Sequence, residues 1–259
     1  WGTLDTLGLE DVVTNLLKDI YKGNKVFINC EKQVTEPAEV KPGLRLGCPL
    51  SLLLFMMYLQ RLEAKLEESG LRFHLSFVKQ GKLNEQALPA LTYADDIVLM
   101  ADNKEDSQRL VNICGNEGDR LDFRFSKEKS AVMIFNDNEG SELRIQEVTL
   151  EITDKYKYLG VWISNGAEYL REHEIYVTTK GNRNAAVMKN RALWNYNRYD
   201  VVRGIWKGVM VPGLTFGNAV LCMRSEVQTR LEIKQRGIGR LALGAHGIAP
   251  NQGVQGDMG

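Results

Sequence analysis

The stretch LTYADDIVL at residues 91–99 places two aspartates, Asp95 and Asp96, between two apolar arms. Apolar residues on both sides of a short polar tip are typical of a β-hairpin, and here we expect both arms to be buried. Buried arms would fix the tip in space. The sequence therefore predicts a hairpin with the acidic pair at its turn.

The acidic pair indicates a metal site. Two adjacent carboxylates repel each other and are costly to desolvate unless a cation is present. Mg²⁺ prefers such oxygen ligands and usually keeps waters and substrate phosphates in its other positions. This chemistry suits phosphoryl transfer, in which one ion activates the attacking hydroxyl and another stabilises the leaving oxygen. Aspartate is also common in turns for local hydrogen-bonding reasons, and that interpretation stays open.

A second motif precedes the hairpin, GLRLGCPLS at residues 43–51, followed by Leu54, Phe55 and Tyr58. Its glycines and proline indicate a loop that feeds a helix over residues 50–66. Apolar spacing predicts further helices over residues 9–21 and 104–123, the latter with Asn103 or Asp102 as N-cap. Residues 169–199 and 226–243 lack strand alternation and are predicted to be helical.

These motifs resemble those of reverse transcriptases, in particular the enzymes of non-LTR (LINE-like) retrotransposons. Tyr93-Ala94-Asp95-Asp96 resembles motif C, and residues 43–51 resemble motif B, G-x-R-Q-G-C-P-L-S. Leu46 stands where that motif has glutamine, and Leu52 where it continues with proline. Four further segments occur in the family's order: residues 126–130 resemble motif D, Tyr158-Leu159-Gly160 resembles the primer-gripping hairpin, and residues 212–217 and 235–244 resemble parts of the region after the palm.

The resemblance implies RNA-directed DNA synthesis, with an RNA template, a DNA primer and dNTPs as partners and Mg²⁺ or Mn²⁺ as cofactor. Asp95 and Asp96 would bind the metal, and Tyr93 would lie near the primer end. Lys129 falls on the lysine of motif D and would support pyrophosphate release, which completes the implied catalytic set. The implied template and nucleotide pocket is shaped by Gly43, Arg45, Gly47 and Pro49.

The implied fold is α+β, with a polymerase palm-like sheet and helices, lacking its first strand, followed by a mainly α-helical thumb-like region. We predict a palm with motifs B to E over residues 1–165 and a thumb-like and connecting region over residues 166–259. Charge supports a division: residues 1–170 carry 20 basic and 27 acidic groups, and residues 171–259 carry 13 and 6. The basic half would attract a phosphate backbone, although solvated helix surfaces are the plainer interpretation.

One expected residue of the family is not found, the aspartate of motif A. Residues 1–21 resemble the segment that comes after motif A in the family, so this aspartate is expected upstream of Trp1. We therefore expect a chain that is truncated at both ends and cannot polymerise alone. Three alternatives stay open: a non-catalytic nucleic-acid-binding remnant, a decayed transposon fragment, and the maturase-linked enzymes of group II introns, which fit the Tyr158-Leu159-Gly160 segment and helical tail less well.

Composition bounds the remaining possibilities. With 44% hydrophobic and 25% charged residues the chain is typical of globular proteins. Its main apolar stretch, residues 49–59, is about half of the roughly 20 residues that a membrane-spanning helix needs, and nothing resembles a secretion signal. We expect an intracellular protein without a membrane segment or an evident protein partner. The four cysteines lack zinc-ligand spacing and are expected to be reduced thiols.

Overall fold

A computed structural model of the chain describes residues 1–30, 33–39, 43–45, 47–136, 142–193 and 196–258. Within these ranges, no helix combines the length and the apolar character that crossing a bilayer would require. Helices and strands are both present, which confirms the predicted mixture of α and β structure. All four cysteines are free thiols. Leu46, one of the two departures from motif B, lies outside the described residues.

Nine α-helices occur in the described ranges, together with a 3₁₀ turn at Lys127–Lys129 and a π-helical turn at Trp206–Met210. Their bounds are α1 Gly2–Thr6, α2 Asp11–Tyr21, α3 Pro49–Glu68, α4 Lys104–Leu121, α5 Arg171–Leu193, α6 Arg198–Ile205, α7 Val211–Thr215, α8 Ser225–Leu243 and α9 Asn251–Met258.

Fourteen strands in the same ranges pair two by two into seven small sheets. The strands are β1 Lys25–Val26, β2 Asn29–Cys30, β3 Gln33–Val34, β4 Ala38–Glu39, β5 Phe73–Lys79, β6 Lys82–Leu88, β7 Ala90–Tyr93, β8 Asp96–Leu99, β9 Ala131–Val132, β10 Arg144–Ile145, β11 Val148–Thr149, β12 Glu151–Ile152, β13 Lys155–Tyr158 and β14 Val161–Ser164. Strands β9 and β12 are parallel, and the other six pairs, β1–β4, β2–β3, β5–β6, β7–β8, β10–β11 and β13–β14, are antiparallel.

The chain divides into two compact units. The first comprises residues 1–130 and 141–150, and the second comprises residues 131–140 and 151–259. The strand pairs β9–β12 and β13–β14 thus belong to the same unit as helices α5 to α9. The domain boundary expected near residue 165 stays a prediction.

Helix α3 organises the first unit. Cys48 is extended at its N-cap and Pro49 occupies the first turn, where a missing N–H is tolerated. Leu54, Leu62 and Leu66 recur at intervals of four and eight residues and are buried. Helix α4 packs against α3, and the side chain of its N-cap residue, Asn103, accepts a hydrogen bond from the Asp106 N–H at 2.8 Å. Of the two predicted N-caps, Asn103 is therefore the one that the structure has.

The second unit has its own core between helices α5 to α8. Its buried side chains come from each of these helices, from the π-helical turn and from the segment before α8, and include Val177, Met188, Val202, Trp206, Met210, Leu214, Met223, Val227, Ile238 and Ala242. A core of this size is sufficient to hold the helices together by apolar burial. The predicted helical character of this half is confirmed.

Candidate functional site

The acidic pair lies at the tip of the hairpin formed by β7 and β8. Tyr93 pairs with Asp96, so Ala94 and Asp95 form a two-residue loop. Ala94 has a φ of 52°, an uncommon value for a residue other than glycine. Both aspartates are exposed, and Tyr93 beside them is 62% exposed. The predicted hairpin is confirmed, with both carboxylates open to solvent.

The arms of this hairpin are less buried than the sequence indicated. Residues 97–99 of β8 are half-buried, but Leu91 on β7 is 47% exposed. The expectation of two buried arms was therefore wrong. The physical reason is that, among the described strands, β7 and β8 pair only with each other, so that neither outer edge is covered by a further strand.

A hydrogen bond to helix α3 holds the hairpin near its tip. The Thr92 hydroxyl donates to Glu63 Oε1 at 2.6 Å. At the open end, the Met100 N–H donates to the Pro89 carbonyl at 2.9 Å and extends the ladder beyond the strands. Sequence reasoning did not single out Glu63, which has no motif signal around it and is identified only by its contact.

The donor set at the tip fits part of a Mg²⁺ site. Two adjacent carboxylates offer oxygen ligands, and Mg²⁺ commonly takes one or two carboxylates and completes its shell with waters and phosphates. Within the part of the chain that the structure describes, no group of three or more His, Cys, Asp or Glu side chains could hold a metal ion. Asp95 and Asp96 can thus supply two ligands, and no third carboxylate among the described residues converges on them.

The loop at residues 43–48 carries the residues predicted to shape the template and nucleotide pocket. Gly43 and Gly47 have φ values of 110° and 76°, which residues with a side chain rarely adopt. Space is open around both, so the backbone conformation and not a close contact requires glycine there. Pro49 is exposed at the first turn of α3.

Arg45 ties this loop to the end of helix α2. Its guanidinium donates to the carbonyl of Ile20 at 2.5 Å and to the side chain of Asn24, and lies 5.5 Å from the ring centroid of Tyr21. A cation at the C-terminal end of a helix is favourable because the last carbonyls carry partial negative charge. The guanidinium is therefore engaged in positioning the loop.

The start of α3 closes the same loop. The Ser51 hydroxyl donates to the Arg45 carbonyl at 2.7 Å and lies 3.1 Å from the Tyr21 hydroxyl. The backbone N–H of Leu50, with smaller help from Ser51, stabilises the thiolate of Cys48 and lowers its pKa, although burial acts in the opposite direction. The sequence motifs indicated neither Tyr21 nor Asn24 as part of the site.

Lys129 lies in the 3₁₀ turn that follows helix α4. Its side chain is exposed, and its backbone N–H donates to the Ser126 carbonyl at 3.2 Å.

The loop at residues 43–48 is attached at the first residues of α3, whereas the acidic hairpin is attached at Glu63, fourteen positions after Pro49. At about 1.5 Å per residue these anchors lie about 21 Å apart along the helix axis. Loop and hairpin are thus held at different parts of one helix.

A second hairpin, formed by β13 and β14, contains the Tyr158-Leu159-Gly160 segment. Tyr158 pairs with Val161, and the loop residues Leu159 and Gly160 have φ values of 46° and 85°. A Cβ atom at Gly160 would lie 2.8 Å from Cε1 of Phe216. The ring of Phe216 therefore lies directly against the tip of this hairpin.

His173 at the start of α5 holds the second hairpin. It is 2% exposed, its Nδ1 accepts from the Trp162 N–H at 3.4 Å, and its ring donates to the Phe216 carbonyl. Burial lowers the pKa of His173, so the neutral ring is favoured. The adjacent Glu174 accepts from the N–H and the guanidinium Nε of Arg224 at 2.8 and 2.7 Å. Burial raises the pKa of Glu174, but Arg224 outweighs it and the net direction is downward.

A family model described as reverse transcriptase (RNA-dependent DNA polymerase) matches residues 4–163. The match covers more than half of the chain and includes the loop at residues 43–48, both hairpin tips and Lys129. It extends across both compact units, from helix α1 to the last strand.

Proposed function

The chain belongs to the reverse transcriptase (RNA-dependent DNA polymerase) family, and from that premise we propose that it is the RNA-directed DNA polymerase part of a non-LTR, LINE-like retrotransposon. The observation that carries the proposal is the exposed Tyr93-Ala94-Asp95-Asp96 tip within the matched residues. The segment Tyr158-Leu159-Gly160 and the helical tail resemble the LINE-like branch and support the finer assignment.

Asp95 and Asp96 would hold Mg²⁺, with Mn²⁺ as a substitute. When bound, the metal would activate the primer hydroxyl and stabilise charge on the leaving pyrophosphate. The chain's contribution is to hold two carboxylates side by side on a hairpin tip that solvent and substrate phosphates can reach. Tyr93, exposed beside them, would lie against the primer end.

The remaining residues would act on template and nucleotide. Gly43, Gly47 and Pro49 would shape the pocket through the loop backbone, and Arg45 would hold that loop against α2 by the bonds described above. Lys129 would place a positive charge where pyrophosphate leaves. An RNA template, a DNA primer and dNTPs are the partners this implies, with a palm over residues 1–165 and a thumb-like region over residues 166–259 in an intracellular protein.

A second candidate function has its own support. Because the described carboxylates do not converge in a group of three, the chain alone would be a non-catalytic nucleic-acid-binding protein. The excess of basic over acidic groups in residues 171–259, 13 against 6, would supply the attraction to phosphates. We propose that the chain by itself binds nucleic acid without polymerising it.

Metal binding tests the site directly. Manganese bound in the presence of primer-template and dNTP can be counted by electron paramagnetic resonance. We expect binding by the chain and loss of binding when Asp95 and Asp96 are both replaced by Asn. Asp102→Asn, which changes another exposed aspartate soon after β8, is the matched control. It should bind as much manganese as the unsubstituted chain does. Equal binding by all three proteins would refute the metal site.

Primer extension on an RNA template with Mg²⁺ or Mn²⁺ tests activity separately. We expect no extension by the isolated chain. Template-dependent extension that disappears in Asp95→Asn would overturn the non-catalytic proposal and leave the polymerase assignment standing. Salt-dependent binding of a duplex without extension would support the non-catalytic proposal. Absence of any binding would favour a decayed fragment.

A further inference from the structure

The side chain of Gln146 is attached to the chain that leaves helix α4. Its Nε2 donates to Oδ1 of Asp119 at 2.9 Å and to the carbonyl of Phe123 at 3.1 Å, and its Oε1 accepts from the N–H of Phe125 at 3.2 Å. An amide that faces two acceptors and one donor in this way has its orientation fixed. Gln146 therefore holds Phe123 and Phe125, just beyond the end of the helix, with a single side chain.

Gln146 lies in a tight turn that other residues would form more easily. Ile145 pairs with Val148, so that Gln146 and Glu147 close the hairpin of β10 and β11, with φ values of 45° and 68°. Two-residue hairpin turns with a positive φ at both positions favour asparagine and glycine. Glutamine is strained there, and strained residues of this kind cluster at functional sites. The three hydrogen bonds of its side chain give a physical reason for its presence.

The hairpin that carries Gln146 is docked along helix α4. The side-chain amide of Gln108 donates to the carbonyl of Arg144 at 2.8 Å and accepts from the N–H of the same residue at 3.0 Å. Ile145 is buried, and a Cβ atom at Gly118 of α4 would lie 2.9 Å from Nε2 of Gln146. Because the helix lacks a side chain where the amide approaches it, the docked hairpin gives Gln146 a fixed base.

A short closed turn connects Phe125 to Lys129, four residues later. The N–H of Lys129 donates to the carbonyl of Ser126 at 3.2 Å, and the hydroxyl of Ser126 donates to Oε2 of Glu128 at 3.0 Å. These bonds close the 3₁₀ turn from within. A restraint on the backbone of Phe125 is therefore passed to the backbone of Lys129 with little freedom in between.

The other end of the 3₁₀ turn is held by the chain that follows the same hairpin. Ala131, two residues after Lys129, pairs with Glu151, the first residue of β12, which begins two positions after β11 ends. The N–H of Thr153 adds a hydrogen bond to the carbonyl of Val132 at 2.9 Å. Residues 144–153 thus contact the chain both before and after the turn that carries the lysine.

We propose that Gln146 is a positioning residue that sets the place of Lys129 and acts on pyrophosphate only through that lysine. The bonds of the Gln146 amide are to the chain itself, so this role requires no contact with a substrate. A lysine side chain is long and flexible, and the region that its ammonium can reach therefore depends on where its backbone is held. The effect on pyrophosphate rests on the role proposed above for Lys129, whereas the hold on the turn does not.

Hydrogen exchange followed by NMR tests the hold on the turn. Gln146→Asn keeps the amide and suits a positive φ, but it is one methylene too short to keep all three bonds. Glu147→Asp shortens the next residue of the turn by the same amount and is the matched control. The amides of Phe125 and Lys129 should exchange about fivefold faster in Gln146→Asn, the factor for loss of about one hydrogen bond, and at the original rate in Glu147→Asp. The amide of Lys129 is the informative one, because its own acceptor, the Ser126 carbonyl, is unchanged.

Pyrophosphate affinity, measured by calorimetry with Mg²⁺, tests whether the effect passes through Lys129. We expect Gln146→Asn to weaken binding by about fivefold in the unsubstituted chain and to have no effect in a chain that already carries Lys129→Gln. A purely structural role would not give this dependence on Lys129. Urea unfolding provides the comparison, since the loss of stability caused by Gln146→Asn should be the same with and without Lys129→Gln.

The outcomes separate this inference from the proposed function. Unchanged exchange at Lys129 in a folded Gln146→Asn variant would overturn the hold on the turn. An equal loss of pyrophosphate affinity with and without Lys129→Gln would show that Gln146 acts by another route, and would also overturn the inference. Pyrophosphate affinity that is absent, or unaffected by Lys129→Gln, would instead refute the role of Lys129 in the proposed function, and exchange at Lys129 would still decide whether Gln146 holds the turn.

Discussion

The two short hairpins of this chain have the same local construction and opposite surroundings. Each pairs two four-residue strands, closes with a tyrosine at the last position of the first strand, and turns through two residues with a positive φ at the first of them. The tip that carries Asp95 is open to solvent, whereas at the other tip Leu159 is exposed but Gly160 lies against Phe216.

The turn itself therefore does not decide what a hairpin does. The first hairpin is attached through Thr92, and its tip offers two carboxylates to solvent. The second is attached through Trp162 to a buried histidine, and its tip is a packing contact. One hairpin can present a ligand site, while the other stabilises the start of α5. Substitutions and a change of pH test this contrast.

Gly160→Ala should destabilise the protein by about 1–3 kcal/mol, because the new Cβ meets Phe216 at a positive φ. Urea unfolding measures the loss. Ala94→Gly, the reverse substitution at the exposed tip, is the control. It should leave stability unchanged or slightly higher, since glycine tolerates the φ of 52°. Equal changes in the free energy of unfolding at both tips would show that the contact with Phe216 does not contribute to stability.

Acid should loosen the second hairpin through His173. The pKa of this ring is lowered by burial in the folded protein, and its ordinary value is about 6.5. Between those two values the unfolded chain binds the proton and the folded chain does not, so that stability is retained above pH 6.5 and falls as pH drops through this window. Thermal unfolding from pH 8 to pH 5 measures this loss of stability. Lys157 and Glu174 are the charged groups near the ring.

The non-titrating variant His173→Gln isolates this contribution. Its thermal midpoint should be lower than that of the parent at pH 8 and should depend less on pH below 6.5. The same slope in both proteins would assign the acid sensitivity to other groups.

Thr92→Val should weaken the attachment of the first hairpin by about 0.5–1 kcal/mol, because the change removes one hydroxyl donor at nearly constant shape. The loss is modest because both partners remain hydrated when separated. A double-mutant cycle with Glu63→Ala measures the coupling between the two side chains. A coupling energy of zero would mean that the hairpin is held by other contacts.

Replacing both Asp95 and Asp96 by Asn should change the free energy of unfolding by no more than about 0.5 kcal/mol, since exposed side chains with few contacts contribute little to stability. Urea unfolding without metal provides the value. A loss as large as that of Gly160→Ala would mean that the acidic tip has a structural role, and would remove the contrast between the hairpins.

Sequence reasoning succeeded where the signal is local. The hairpin at Asp95, the helix predicted over residues 50–66 and found at Pro49–Glu68, and the N-cap at Asn103 follow from local signals. These signals are turn residues, capping residues and periodicity that lie within a few positions of one another. The burial of the hairpin arms did not follow, because burial depends on which elements lie alongside. Nothing near Leu91 in the sequence reveals that, among the described strands, the outer edge of β7 lacks a neighbour.

The same limit applies to the candidate site. The aspartates, Lys129 and the glycines of the loop were predicted from motifs, but the contacts around them could not be. Glu63 and Tyr21 are ordinary helix residues whose partners are 29 and 30 positions away in the chain. Contacts over such separations are set by tertiary packing, and single-sequence patterns carry no information about them.

Helix α3 connects two parts of the candidate site mechanically. It holds the loop at residues 43–48 at its first turn and the acidic hairpin near Glu63, and between these anchors it is continuous α-helix. A continuous helix behaves as a stiff rod over this length. Any tilt of α3 about its middle would move the two anchors in opposite directions. The loop and the hairpin tip would therefore move together, and a ligand that restrains one of them would also restrain the other.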